Sequence, residues 1–202
     1  CSMSLQQIIE RCLETGINCI ALADHGTIEG AVKMQSLAPF PVIIAEEILT
    51  PYGEIMGMFL KEGVPSGLSV EQTISRIRAQ DGLVGVPHPF DVTRHSALDN
   101  KIIEEWTEQI DVLEVFNARR ILPWNSNRAR LFAKKHGIPG SAGSDAHTPS
   151  EVGKAYVEMP EFSGKDDFLS ALASGKIYGN RSSPTVHFST VQRRLKKRLW
   201  WQ

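Results

Sequence analysis

Cysteine is scarce in this chain: Cys1, Cys12 and Cys19 are the three in 202 residues. An odd set without metal-ligand spacing supports neither a disulfide framework nor a thiolate metal site, and two of the three sit among apolar neighbours, where a thiol packs as a small hydrophobe. Long apolar runs are missing too. No stretch approaches the ~20 residues that span a bilayer, and the N-terminus lacks the basic-then-apolar order of a signal peptide. A reducing cytoplasm is the expected setting. Net charge is nearly absent, with 22 Lys and Arg against 23 Asp and Glu. No whole-molecule field therefore gathers nucleic acid or anionic lipid, and any polyanion must be met locally. What is present, 42% apolar and 22% charged residues, is the profile of a soluble globular chain and excludes disorder as the main state.

The pattern along the chain is an alternation of helices and short buried strands. Ser4-Leu5-Gln6-Gln7 is a capping box, followed by Ile8, Ile9, Cys12 and Leu13 at helical spacing and stopped by Gly16. Cys19 to Ala23 is a continuous apolar run, as in a strand buried on both faces, and it exits into Asp24-His25-Gly26. Val42 to Ala45 exits into Glu46-Glu47, and Ile55 to Leu60 follows the Pro51-Tyr52-Gly53 turn. A second capping box, Ser69 with Gln72, opens a helix closed by Gly82. Leu83 to Val86 then exits into Pro87-His88-Pro89, Ile110 to Leu113 into Glu114 and Asn117, and Ile138 to Gly143 into Ser144-Asp145-Ala146-His147. Helices are expected near 101–108, 126–136 and 165–173. Such alternation predicts parallel βαβ units, in an open sheet or a closed barrel. Ionisable residues at the ends of at least four separate strands favour the barrel, because an open sheet gathers its ligands at one switch point.

Pooled, the strand exits supply Asp24, His25, Glu46 or Glu47, His88, Glu114 or Asn117, Asp145 and His147. Imidazole with carboxylate suits Zn²⁺, Mn²⁺ or Fe, and so many donors exceed what one tetrahedral ion requires. Each residue alone has an ordinary explanation: Asp before His-Gly forms turns, and His88 stands between prolines. Three of the six histidines nevertheless fall directly after expected strands, where polar residues read as functional in this architecture. His95, His136 and His187 do not, and His136 at a helix end suits the helix dipole.

In order, Ala23-Asp24-His25-Gly26, Ala45-Glu46-Glu47-Ile48, Val86-Pro87-His88-Pro89, Glu114-Val115-Phe116-Asn117 and Gly143-Ser144-Asp145-Ala146-His147 resemble the successive motifs of the PHP (polymerase and histidinol phosphatase) family. The resemblance covers residues 1–180 and leaves 181–202 as a basic C-terminal tail. It implies a distorted, TIM-like (β/α)7 barrel with two or three divalent ions (Mn, Zn or Fe) that hydrolyses phosphate esters of small metabolites, nucleotides or nucleic acids. It also implies His25, Glu47, His88, Asp145 and His147 as metal ligands, Glu47 being the bridging carboxylate. Glu114 and Asn117 fall where a further ligand or a substrate contact belongs. Asp24 and Asp145 are the expected catalytic carboxylates. One departure stands out, for the family opens with a His-x-His pair on its first strand and none precedes the Ser4 helix. The expected barrel therefore lacks its first strand, the expected reason is that the true beginning lies upstream of Cys1, and the chain as written should be short of several ligands.

The expected reaction is metal-assisted hydrolysis of a phosphoester without a side-chain nucleophile. Arg94 and Arg119 are candidates to clasp the phosphate in bidentate fashion, although Asp91 and Asp99 could simply pair with Arg94. The run Arg193 to Trp201 offers cations and aromatics that could touch nucleic acid or an anionic membrane surface, but a short basic stretch is more simply a solvated helix end. Two other functions compete: a barrel that binds metal or phosphate without turnover, and a metal-dependent amidohydrolase.

Overall fold

The computed structural model describes residues 3–120 and 123–181. The basic run ending in Trp201, and His187 with it, lie outside those residues.

Both capping boxes form. In α1 (Leu5–Thr15) the Gln7 N–H donates to Ser4 Oγ at 3.2 Å and the Ser4 N–H donates to Gln7 Oε1 at 3.0 Å. In α3 (Val70–Ala79), Ser69 and Gln72 exchange bonds of 3.1 Å each. The expected Gly82 stop of α3 is displaced by one residue. Asp81 takes the left-handed turn, with φ 66°, and the Gly82 N–H closes it on Ile77 O at 2.9 Å.

Among the described residues six strands form one sheet in chain order: β1 (Ile20–His25), β2 (Val42–Thr50), β3 (Gly53–Met58), β4 (Leu83–Val86), β5 (Val112–Asn117) and β6 (Gly140–Gly143). β1 runs parallel to β2, and β4, β5 and β6 run parallel to one another, but β3 is antiparallel to both its neighbours. This corrects the all-parallel expectation. The reason is local: Thr50 pairs with Gly53, so Pro51-Tyr52 is a two-residue hairpin loop and leaves no room for a crossover helix. The expected closed barrel is likewise an open, curled half-barrel among the described residues. The helix α2 (Glu29–Leu37) returns the chain from β1 to β2, and α4 (Asn100–Glu105) and α5 (Pro123–His136) make the later crossovers. A two-stranded ribbon, β7 (Ala155–Glu158) with β8 (Lys176–Gly179), and α6 (Lys165–Ser174) between them complete the described residues.

Side chains alternate across the sheet. On one face Ile48, Ile55, Val84, Val86, Leu113 and Val115 pack with α3, α4 and α5. On the other Ile43, Ala45, Met58, Leu83 and Val112 pack with Phe168 and Leu172 of α6. A third cluster seats Ile8, Ile9 and Cys12 of α1 against Met34 and Val42. Burial on both faces explains why these strands read as unbroken apolar runs. With β3 reversed, the C-terminal ends of five strands and the start of β3 share one rim.

Candidate metal centre

Parity along β2 separates the two glutamates. Glu47 has the parity of Ile43 and Ala45 and crowns the face they share with α6. Glu46 has the parity of Ile44 and Ile48 and is fully buried on the other face, where Oε2 accepts the Val64 N–H at 2.8 Å. β1 divides its pair in the same way. His25 follows Cys19 and Ala23 onto the Glu47 face, whereas Asp24 follows Ile20 and Leu22, and its carboxylate fills the space a Cβ on Gly30 of α2 would need. The structure thus sets Asp24 apart from the residues with which it was expected to act.

A residue unforeseen from the sequence joins His25 and Glu47. Glu54, at the start of the reversed strand, pairs with Leu49 in register and so lies diagonally across from Glu47 on the same face. His25 Nδ1 stands 3.2 Å from Glu47 Oε2 and 3.3 Å from Glu54 Oε1. Donor atoms of His25, Glu47 and Glu54 all lie within 4.8 Å of one another, so the three form a group that could hold a metal ion. His88 reaches the same group from the exit of β4, with Nε2 3.2 Å from Glu54 Oε2.

The second half of the rim comes from β5 and β6. Glu114 Oε2 accepts the His88 N–H at 2.6 Å, and Asn117 Nδ2 donates to Glu114 at 3.0 Å and to Asp145 at 3.3 Å. Alternation alone would turn Asn117 away from Glu114. A bulge between Glu114 and Phe116 restores it, as bulges beside functional sites do. Gly143 leaves room for this packing, since a Cβ there would stand 2.5 Å from Glu114 Oε1 and would displace that carboxylate. Asp145 also accepts from Arg94 Nη2, and His147 turns its Nδ1 onto the Asp145 carbonyl at 2.9 Å. Arg119 is buried beside Glu151, Nε to Oε1 3.4 Å, rather than extended into the opening. His88 and Asp145 both hold left-handed backbone, φ 33° and 48°. For non-glycine residues this costs on the order of 1–3 kcal/mol each and marks sites where surroundings dictate conformation.

The electrostatics suit a cation. Burial pushes the Glu47 carboxyl up to about 7, with the charges of Glu54 and Asp145 adding to the shift and those of His88 and His25 opposing it. Burial works against ionisation of Glu54 as well, but contacts with His25, His88 and Ser96 outweigh it and hold that carboxyl well below the usual range. His25 is raised, chiefly by Glu54. Asp145 is lowered, Arg94 overcoming the effect of burial. Among the described residues both ring nitrogens of His88 and Glu54 Oε2 are buried without a well-aligned hydrogen bond, the 3.2 Å approach of Nε2 to Oε2 being an ion-pair contact. Buried polar atoms are rarely left so, and a divalent ion would satisfy imidazole and carboxylate together. The residues present therefore fit the implied metal.

Residues 123–177 match the family signature described as PHP-associated. The uncharacterized protein MJ0417 of Methanocaldococcus jannaschii is 34% identical over 175 residues, 84% of this chain and 70% of that protein. The chain belongs to the PHP domain family. Two solved structures share the fold. A Bifidobacterium adolescentis protein provisionally described as a metal-dependent phosphoesterase aligns with TM-score 0.62 at 15% identity, covering 85% of this chain and 91% of that one. A two-domain Bacteroides vulgatus protein containing a predicted PHP-like metal-dependent phosphoesterase aligns with TM-score 0.65 at 15% identity, covering 87% and 60%. Among the described residues no helix is long and apolar enough to cross a membrane.

Proposed function

We propose that this rim binds divalent cations and with them hydrolyses phosphate esters of small molecules or nucleotides. The observation that carries the reading is the convergence of His25, Glu47 and Glu54 within 4.8 Å, with His88 beside them. These four residues would hold one ion, and Glu114, Asp145 and His147 would hold a second; such ions would lower the pKa of bound water and offset charge on the phosphoryl oxygens. Asn117 orients both Glu114 and Asp145. Arg94, half-buried at the mouth, offers its remaining donors to a phosphoryl oxygen. Asp24, on the far face, has no part in the reaction, and Glu54 takes its place among the working carboxylates.

The test uses the full-length protein with Mn²⁺, Zn²⁺ or Fe²⁺ against a phosphomonoester, a phosphodiester and an amide. Phosphoester turnover that E54Q lowers by about 100-fold or more, in the range for a lost metal function, supports the assignment. Turnover that survives D145A/H147A defeats it, and amide cleavage alone favours the amidohydrolase.

A further inference from the structure

Beyond Asn117, β5 runs into two consecutive arginines, Arg119 and Arg120, which are 5% and 2% exposed. The turn that carries them is tight, the Arg120 N–H donating to Asn117 O at 3.2 Å, and the two side chains reach opposite neighbours. Arg120 turns to the exit of β4, where Nη2 donates to Pro89 O at 3.1 Å and Nε stands 3.7 Å from Asp91 Oδ2. Arg119 turns to the exit of β6, where Nε stands 3.4 Å from Glu151 Oε1. The other oxygen of Glu151 accepts the N–H groups of His147 and Thr148 at 3.0 and 2.9 Å.

Each loop so gripped presents candidate ligands on strained backbone. One carries His88 and Phe90, φ 33° and 62°, and the other carries Asp145, φ 48°. Such conformations persist only where several contacts dictate them. The guanidinium of Arg120 is itself unfavourably buried, and desolvation pulls its pKa down. As mere packing, an apolar side chain of equal volume would serve as well or better. What an apolar side chain could not do is grip a carbonyl and a carboxylate in the neighbouring loop.

We propose that Arg119 and Arg120 form a two-sided clamp at the exit of β5, between the exits of β4 and β6, Arg120 positioning His88 and Arg119 positioning His147. Both act through the ligands and touch neither cation nor substrate. The clamp rests on the metal reading above and extends it to residues outside the donor set.

Co²⁺ affinity of the full-length protein, followed by titration calorimetry and by the visible absorption of the bound ion, tests this without turnover. R120M weakens Co²⁺ binding roughly 10–100-fold, the range for partners that orient a metal ligand. R120K keeps a donor for Pro89 and weakens it less. Combined with H88A, R120M adds less than about threefold, because both substitutions remove one arrangement, whereas combined with H147A the two effects multiply. R119M gives the mirror pattern. Independent multiplication of R120M with H88A overturns the clamp, and so does an R120M protein that binds Co²⁺ like the parent. If H88A itself leaves binding unchanged, the metal reading falls first, which separates the two failures. Where R120M does not fold, R120K carries the same cycle.

Discussion

Glu47 and Glu54 share one face of one hairpin, yet their surroundings drive them in opposite directions, and that contrast makes a prediction at the scale of a single residue. A carboxyl raised to about 7 by burial favours the fold while it is protonated. Its contribution is present below the unfolded carboxyl value and is lost as pH climbs toward 7, a swing of roughly 3 kcal/mol at most. In metal-free protein with chelator present, E47Q should therefore melt with the parent at pH 4 and above it at pH 8. A variant that melts with the parent at both values would mean that the carboxylate is already solvated. The other residue-scale lesson concerns legibility. Glu46 and Glu47 are chemically alike, and so for this purpose are Asp24 and His25 as rim candidates; only the face each strand shows to α6 distinguishes the members of a pair. That face is a tertiary fact. It is set by which apolar parity meets Phe168 and Leu172, more than a hundred residues further along the chain.

Elements with their own chemical punctuation were legible: α1 and α3 from their capping boxes, and the strands of β1, β2, β4 and β5 from their apolar runs. α2 has no such mark, since Ile28 at its start makes no capping bond, and the sequence does not announce it. Glu54 was hidden by direction. The sequence pattern points to ligands at strand exits, whereas the reversed β3 brings its entrance to the rim. The hairpin that reverses it depends on Gly53, whose φ is 122° and where a Cβ would stand 2.5 Å from the Leu98 Cα. The obstructing atoms are backbone and cannot swing aside. G53A should cost about 2 kcal/mol or more in a urea titration, through strain and through displacement of the 91–98 loop. S69A, which removes one capping box far from the rim, should cost only about 1 kcal/mol. Equal losses for the two would argue that the hairpin is not held against that loop. Asn117 is the subtler case, since the bulge in β5 inverts its parity and no residue type in that stretch announces a bulge.

Across the whole molecule the rim is divided by charge, with the glutamates of β2 and β3 on one side and Arg94, Arg119 and Arg120 on the other, and overall neutrality conceals the division. Glu47, Glu54, Glu114 and Asp145 nonetheless face one opening; burial is the main cause of the raised Glu47 and Glu114 carboxyls, and the neighbouring carboxylates add to it. Any ion that binds only the folded chain must then stabilise it by mass action. At a hundred times its Kd that amounts to about 2.7 kcal/mol, which for a domain of this size corresponds to a Tm rise of roughly 5–10 °C. Mn²⁺ should produce such a rise and chelator should reverse it. E47Q/E54Q, which removes two carboxylates from the first ion's donor group, should lose most of the Mn²⁺ shift and keep only the part that the Glu114, Asp145 and His147 group supplies. R94M keeps the donor group whole and should still respond. A Mn²⁺ shift that persists undiminished in E47Q/E54Q would place the ion elsewhere on the protein, and the glutamate pair would then need another explanation for being gathered on a face that otherwise packs against α6.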